Sequence, residues 1–223
     1  MSVNSESYQK ICKELVPFEA TLVAVSKLKS IEDILLLYKL GHRDFGENYV
    51  QELTTKYNAL PKDVQWHFIG HLQSNKAKFI TPFVSLIHGV DSLKLLKEIN
   101  KQGIKSNRII NCLLQIHIAQ EETKFGFSFQ EAEELLSADV QLELKNINII
   151  GLMSMASLTA DEKQIVQEFH SLKLFYNHVR SRHTNLKVLS LGMTGDYHLA
   201  LREGSNMVRI GSAIFGERKV VSS

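Results

Sequence analysis

Proline and cysteine are both scarce, three and two in 223 residues. So little proline, with no low-complexity stretch and no obvious linker, argues against a hinged chain; one domain over residues 1–223 is expected. Cys12 and Cys112 lie far apart and offer no disulfide framework of the kind that staples small secreted domains. Residues 1–14 are polar and mixed in charge, not a basic start followed by an apolar stretch, so no secretory signal is expected. Reduced thiols in a cytoplasmic protein follow as the expectation. Long apolar runs are also missing, and none approaches a membrane span. Nor is there a surplus of basic charge. Lys plus Arg number 26 against 24 Asp plus Glu, a net +2, and no basic run carries interleaved aromatics. Nucleic acid therefore has no electrostatic claim on this chain.

What is present is ordinary globular composition, 44% hydrophobic and 22% charged, in a chain long enough to bury a sizeable core. Short apolar segments recur at 22–26, 43–46, 66–70, 85–90, 109–118, 147–153, 188–192 and 207–211. "IINCLLQIHI" and "NIIGLM" are near-continuous apolar runs, as strands buried on both faces require. Helical patterns fill the gaps at 31–40, 47–58, 74–79, 91–101, 129–138, 161–183 and 195–203. In the longest, Ile165, Phe169, Leu172, Tyr176 and Val179 form one stripe. Gly41 and Gly103 are read as stops just past their helices, and Asp91 or Ser92 as an N-cap. Strand and helix alternating in this way predict a parallel sheet. The count favours a closed (β/α)8 TIM barrel over an open doubly wound sheet. The first twenty or so residues predict an extra N-terminal helix covering one barrel end.

In such a barrel, chemistry sits at the C-terminal ends of the strands. "LVAVSK" places Lys27 there, on the same face as Val23 and Val25. On position alone a solvated loop lysine is the commoner reading. The far end of the chain shifts the balance. Strand 7 runs into "LGMTGDYH" and strand 8 into "VRIGSAIFGER". Barrels often bind phosphate with the loops after strands 7 and 8. Thr194 offers a hydroxyl, Gly195 allows close backbone approach, and Gly211, Ser212 and Gly216 offer amides. A lysine across the mouth from a phosphate cradle suggests pyridoxal 5′-phosphate (PLP), whose aldehyde forms a Schiff base with a neutral amine. Arg209, two residues before Gly211, shares its face and lies deeper. It either donates to the pyridine nitrogen or forms a salt bridge with Glu47 or Asp44.

Metal binding is not expected. His67 and His71 in "HFIGH" fall on strand and loop rather than helix, and no third ligand shows metal spacing. His67 is expected to pack or hydrogen-bond near the mouth. No nucleophile-elbow or Walker sequence occurs. For both cysteines, core packing is the expectation.

Seven segments, "VAVSK", "FGENYVQE", "WHFIGHLQSNK", "VDSLK", "GLMSMA", "LGMTGD" and "VRIGSAIFGER", span residues 22–218 in order. In them the chain resembles the pyridoxal phosphate homeostasis proteins (the YggS/PROSC family), which are similar to the barrel half of alanine racemase, PLP fold-type III. The resemblance implies that Lys27 is the Schiff-base lysine. It implies that Thr194, Gly211 and Ser212 take the phosphate, that Arg209 faces the pyridine nitrogen, and that Asn48 and Met193 lie near the ring. Ser30 stands where many relatives have proline, and Thr194 where serine is common; neither change removes a cofactor contact. The family role is to carry or buffer PLP in vitamin B6 and amino-acid homeostasis, with PLP-dependent apoenzymes as possible recipients.

The alternative is a racemase-like PLP enzyme, and a third reading is a barrel enzyme for some other phosphorylated ligand. Racemisation needs a base on each face of the carbanion. In the racemase relatives the second comes from an additional β domain and the dimer partner, for which the residues after strand 8 leave no room. A monomeric carrier, not an enzyme, is therefore expected.

Overall fold

A computed structural model describes residues 3–121, 125–136 and 143–216. Its strands are β1 (Thr21–Val25), β2 (Asp44–Glu47), β3 (Gln65–Phe68), β4 (Leu86–Val90), β5 (Ile110–Gln115), β6 (Ile147–Met153), β7 (Val188–Ser190) and β8 (Met207–Ile210). They form a closed barrel in sequence order. Every pairing is parallel, and β1 meets β8 with Val23 opposite Arg209. The helices are α1 (Ser5–Leu15), α2 (Ile31–Lys39), α3 (Val50–Ala59), α4 (Ala77–Ile80), α5 (Leu93–Lys105), α6 (Phe129–Leu135), α7 (Glu162–Arg180), α8 (Tyr197–Arg202) and α9 (Ser212–Phe215).

The alternation along each strand sorts side chains into two cores. Val23, Leu86, Leu113, Met153 and Met207 come from five strands and meet inside the barrel. Ala24, Phe45, Trp66, Ile87 and Cys112 face the other way and pack with helix residues such as Ile34, Leu53 and Phe169. The stripe expected on α7 is buried along its length: Ile165, Phe169, Leu172, Tyr176 and Val179.

Three local expectations, on Gly103, on the start of α3 and on the N-terminal helix, are corrected, while the choice of α5 cap between Asp91 and Ser92 is settled. Gly103 does not stop α5. It lies buried within the helix, where an added Cβ would come within 2.7 Å of the Asn146 carbonyl oxygen, so it marks close packing rather than a cap. Ser92 is the α5 N-cap, accepting from the Leu95 amide at 3.4 Å. Glu47 belongs to β2, and α3 starts later, at Val50. The N-terminal helix is present but does not cover a barrel end. The Asn4 amide donates to the Ile214 carbonyl at 2.8 Å, and the helix then runs back toward β1 with Tyr8, Ile11 and Leu15 buried. It therefore lies along the wall, beside α8 and α9. The end of the expected 129–138 helix and Arg218 lie outside the described residues.

Candidate functional site

The C-terminal ends of the strands surround a cavity of about 370 Å³. Lys27, Asn48, Met193, Thr194, Arg209, Gly211 and Ser212 all line it. Each reaches it from β8 itself, from the loop after β1, β2, β7 or β8, or, for Ser212, from the start of α9. Val25, Ile69, Met155 and Lys29 add to the wall; none of them was assigned a site role from the sequence.

Lys27 is half-buried at the start of a tight turn. The Lys29 amide donates to the Ser26 carbonyl at 3.0 Å, and Leu28 adopts a left-handed φ of 60°, a costly conformation for leucine. Ser30 then caps α2 by accepting from the Asp33 amide at 3.2 Å. Lys29 Nζ donates to the carbonyls of Phe215 (2.8 Å) and Gly216 (3.2 Å), which ties the loop after β1 to the one after β8.

Across the cavity, Gly192 has φ 89° and starts a turn held by Asp196, whose Oδ1 accepts from the Met193 amide at 2.6 Å. Burial pushes the Asp196 carboxyl above its ordinary range, against the pull of that amide and of Arg209. The turn sets the Thr194 hydroxyl against the loop after β8, where Oγ1 accepts from the Gly211 amide at 3.4 Å. Asn48 closes another side. Its Oδ1 is buried with no hydrogen-bond partner among the described residues. The chain after β3 crosses directly behind it at Gly70, where a Cβ would fall 2.5 Å from the Asn48 carbonyl oxygen.

Arg209 forms the floor. It makes no salt bridge with Glu47 or Asp44, because those carboxylates are held by Lys56 (2.8 Å) and His67 (3.0 Å). Its Nη1 donates to the Ser190 carbonyl (2.9 Å) and Oγ (2.7 Å), and Nη2 to the Ser154 carbonyl (2.9 Å). Burial lowers the guanidinium pKa to about 10, with Asp196 opposing the shift, so it stays cationic at neutral pH. Neither serine was assigned a role from sequence; both sit at strand ends, β7 and β6, which is the signal that would have found them.

A hydrogen-bonded chain continues below. Arginine only donates, so Ser190 Oγ accepts from Arg209, and it lies 3.4 Å from His88 Nδ1. His88 Nε2 in turn faces His67 Nδ1 at 2.9 Å, and His67 Nε2 faces Asp44 Oδ1 at 3.0 Å. His67 therefore points to the start of β2, away from the mouth where it was expected. His71 bonds Asp91 at 2.9 Å and stacks on Phe125. Among the described residues, no group of three or more His, Cys, Asp or Glu could hold a metal ion. Among them, too, no helix is long and apolar enough to cross a membrane.

A parallel barrel with a lysine after its first strand and a buried arginine on its last defines a class. Residues 5–219 match the family described as alanine racemase, N-terminal domain. Alanine racemase from Bartonella henselae has the same fold, with a TM-score of 0.69 at 16% identity over 97% of this chain and 60% of that one. Closer relatives narrow the class. The pyridoxal phosphate homeostasis protein of Aquifex aeolicus is 37% identical over 218 residues, 96% of this chain and 95% of that protein. PipY of Synechococcus elongatus PCC7942, solved with PLP bound, superposes with a TM-score of 0.85 at 30% identity, covering 95% of this chain and 99% of that one. The chain belongs to the family of pyridoxal phosphate homeostasis proteins.

Proposed function

We propose that this protein binds PLP reversibly in the barrel-mouth cavity and carries or buffers it for vitamin B6 and amino-acid homeostasis. One observation carries the reading: Lys27, Arg209 and the loops holding Thr194, Gly211 and Ser212 converge on a single cavity. The donor set suits a phosphorylated aldehyde. PLP supplies an electrophilic carbonyl, and Lys27 supplies the amine that forms the Schiff base. The Thr194 hydroxyl and the Gly211 and Ser212 amides hold the phosphate. The orphaned Asn48 Oδ1 would be available to the ligand, and Met193 would line the ring side of the cavity.

Arg209 favours a carrier over a catalyst. A guanidinium that stays charged does not hand a proton to the ring nitrogen, which leaves the ring a weak electron sink. We further propose a cytoplasmic monomer. Two free cysteines, one buried in β5 and one on α1, fit a reducing setting. PLP-dependent apoenzymes are the recipients this reading implies.

The test is the visible spectrum with added PLP. A band near ~420 nm that is lost on borohydride reduction, with the reduced mass located at Lys27, supports Schiff-base binding. Lys27→Ala is expected to abolish that mass while leaving the fold intact. Undiminished trapping in the variant would overturn the assignment. Steady turnover of any L-amino acid in a panel would favour the racemase-like enzyme instead.

A further inference from the structure

Behind the cavity wall, between the barrel and α3, lies a cluster of charge that does not touch the cavity. Lys56 is buried, with 4% of its surface exposed. Its Nζ donates to the Ser26 carbonyl (2.7 Å), Glu47 Oε1 (2.8 Å) and Glu52 Oε1 (2.6 Å). An ammonium has three protons, and these contacts use them all. Both carboxylates then reach the turn after β1. Glu47 Oε1 accepts from Ser26 Oγ at 2.6 Å, and Glu52 Oε1 from the Leu28 amide at 2.6 Å. The residues held are those on either side of Lys27.

We propose that Glu47, Glu52 and Lys56 form a clamp that positions Lys27 through its backbone neighbours. The inference rests on the PLP reading for its purpose and on geometry for its existence. Ser26 is fixed by its carbonyl, its hydroxyl and its own amide, which donates to the Gly46 carbonyl at 3.0 Å. Leu28 is held in its left-handed conformation by a charge-assisted bond to Glu52, which offsets the strain. With both flanking peptides held, the Lys27 Cα–Cβ direction toward the cavity is set before any ligand arrives. The clamp also links two sides of the site, since Glu47 immediately precedes Asn48. It separates the roles of two lysines as well. Lys56 keeps its protons engaged in the wall, and Lys27 is the one presented to the cavity.

Glu52 is the member to change. It is the more exposed carboxylate, and its loss leaves Lys56 paired with Glu47, so the barrel is expected to fold. Three quantities are measured on the full chain: hydrogen exchange at the Leu28 amide without ligand, the rate of borohydride-trapped PLP adduct at Lys27, and the same rate at exposed Lys10 as an internal control. In Glu52→Ala, the Leu28 amide is expected to exchange about ten- to a hundredfold faster, the range a charge-assisted hydrogen bond supports. The Lys27 adduct is expected to form about tenfold more slowly, with the Lys10 rate unchanged. Glu52→Gln is expected to restore most of both, because its amide oxygen still accepts from Leu28. Wild-type exchange or wild-type Lys27 trapping in Glu52→Ala would overturn the clamp, as would Glu52→Gln behaving like Glu52→Ala. If the unaltered protein forms no Lys27 adduct, the cofactor reading falls, and Leu28 exchange alone decides whether the clamp exists.

Discussion

Moderate acid is expected to weaken the barrel through His88, in a way one substitution can isolate. His88 is fully buried inside the barrel, between His67 and Ser190 and near Arg209. Burial is the largest influence on its pKa, and the charges of His67 and Arg209 act in the same direction, holding the imidazole well below its ordinary range. His42 is lowered too, chiefly by burial. A folded-state pKa below the unfolded value gives stability that is present above about pH 6.5 and is lost as pH falls. For one such histidine, the loss between pH 6.5 and 5.5 is RT times the logarithm of eleven over two, about 1 kcal/mol. Below that it continues at up to about 1.4 kcal/mol per pH unit until the folded-state value is reached. His42 adds to this loss in the same direction. Urea unfolding can be followed through Trp66, the only tryptophan and a buried one. Measured at both pH values, it is expected to show a loss smaller by about 1 kcal/mol in His88→Gln than in the unaltered chain. Both proteins carry the same carboxylates and other histidines, so those contributions cancel in the comparison. An equal loss in the two proteins would refute the assignment of a neutral, buried His88.

Two further outcomes follow from packing. Gly151→Ala in β6 would put a Cβ 1.9 Å from the Val188 carbonyl oxygen in the neighbouring strand, where neither backbone can give way without breaking the β6–β7 pairing. A cost above about 4 kcal/mol is expected in urea unfolding, and a cost within about 1 kcal/mol would contradict the closeness of that contact. Burial raises the pKa of both thiols, most of all that of Cys112. Alkylation with iodoacetamide near pH 7.5 is therefore expected to mark Cys12 slowly and Cys112 only in urea; rapid labelling of Cys112 in the folded chain would count against its place in β5.

The sequence was most legible where one physical demand acted alone. Apolar runs buried on both faces marked β6 at its observed limits, and the stripe on α7 followed helical spacing throughout. Lys27, Thr194, Arg209, Gly211 and Ser212 were legible because the barrel places strand ends together, so Lys27 and Gly211 can be neighbours without being close in sequence; Asn48 and Met193 came from the family resemblance alone. Gly103 misled because glycine serves two demands, a left-handed stop and a close approach, and only tertiary packing says which applies. The N-terminal helix was placed wrongly for a similar reason, since its amphipathic face does not say which surface it covers. Arg209 kept two readings open until the structure gave Glu47 and Asp44 to other partners. Lys56 was invisible, because a single lysine on a helix reads as solvated until its carboxylates and the Ser26 carbonyl are seen around it.

The pairing of β1 with β8 bears on how the protein is made. Lys29 binds the Phe215 carbonyl across 186 positions of chain, and Val23 of β1 pairs with Arg209 of β8. During synthesis the first strand leaves the ribosome long before the last, so the growing sheet keeps an open edge on β1 and another on whichever strand is newest. Contacts this distant form late and slowly. The cavity cannot exist on a partly made chain, because its lysine wall and its arginine floor come from the first and last strands. Ligand capture would then report a finished barrel, and a cell short of the ligand would hold the same chains with their closing seam less firmly fastened.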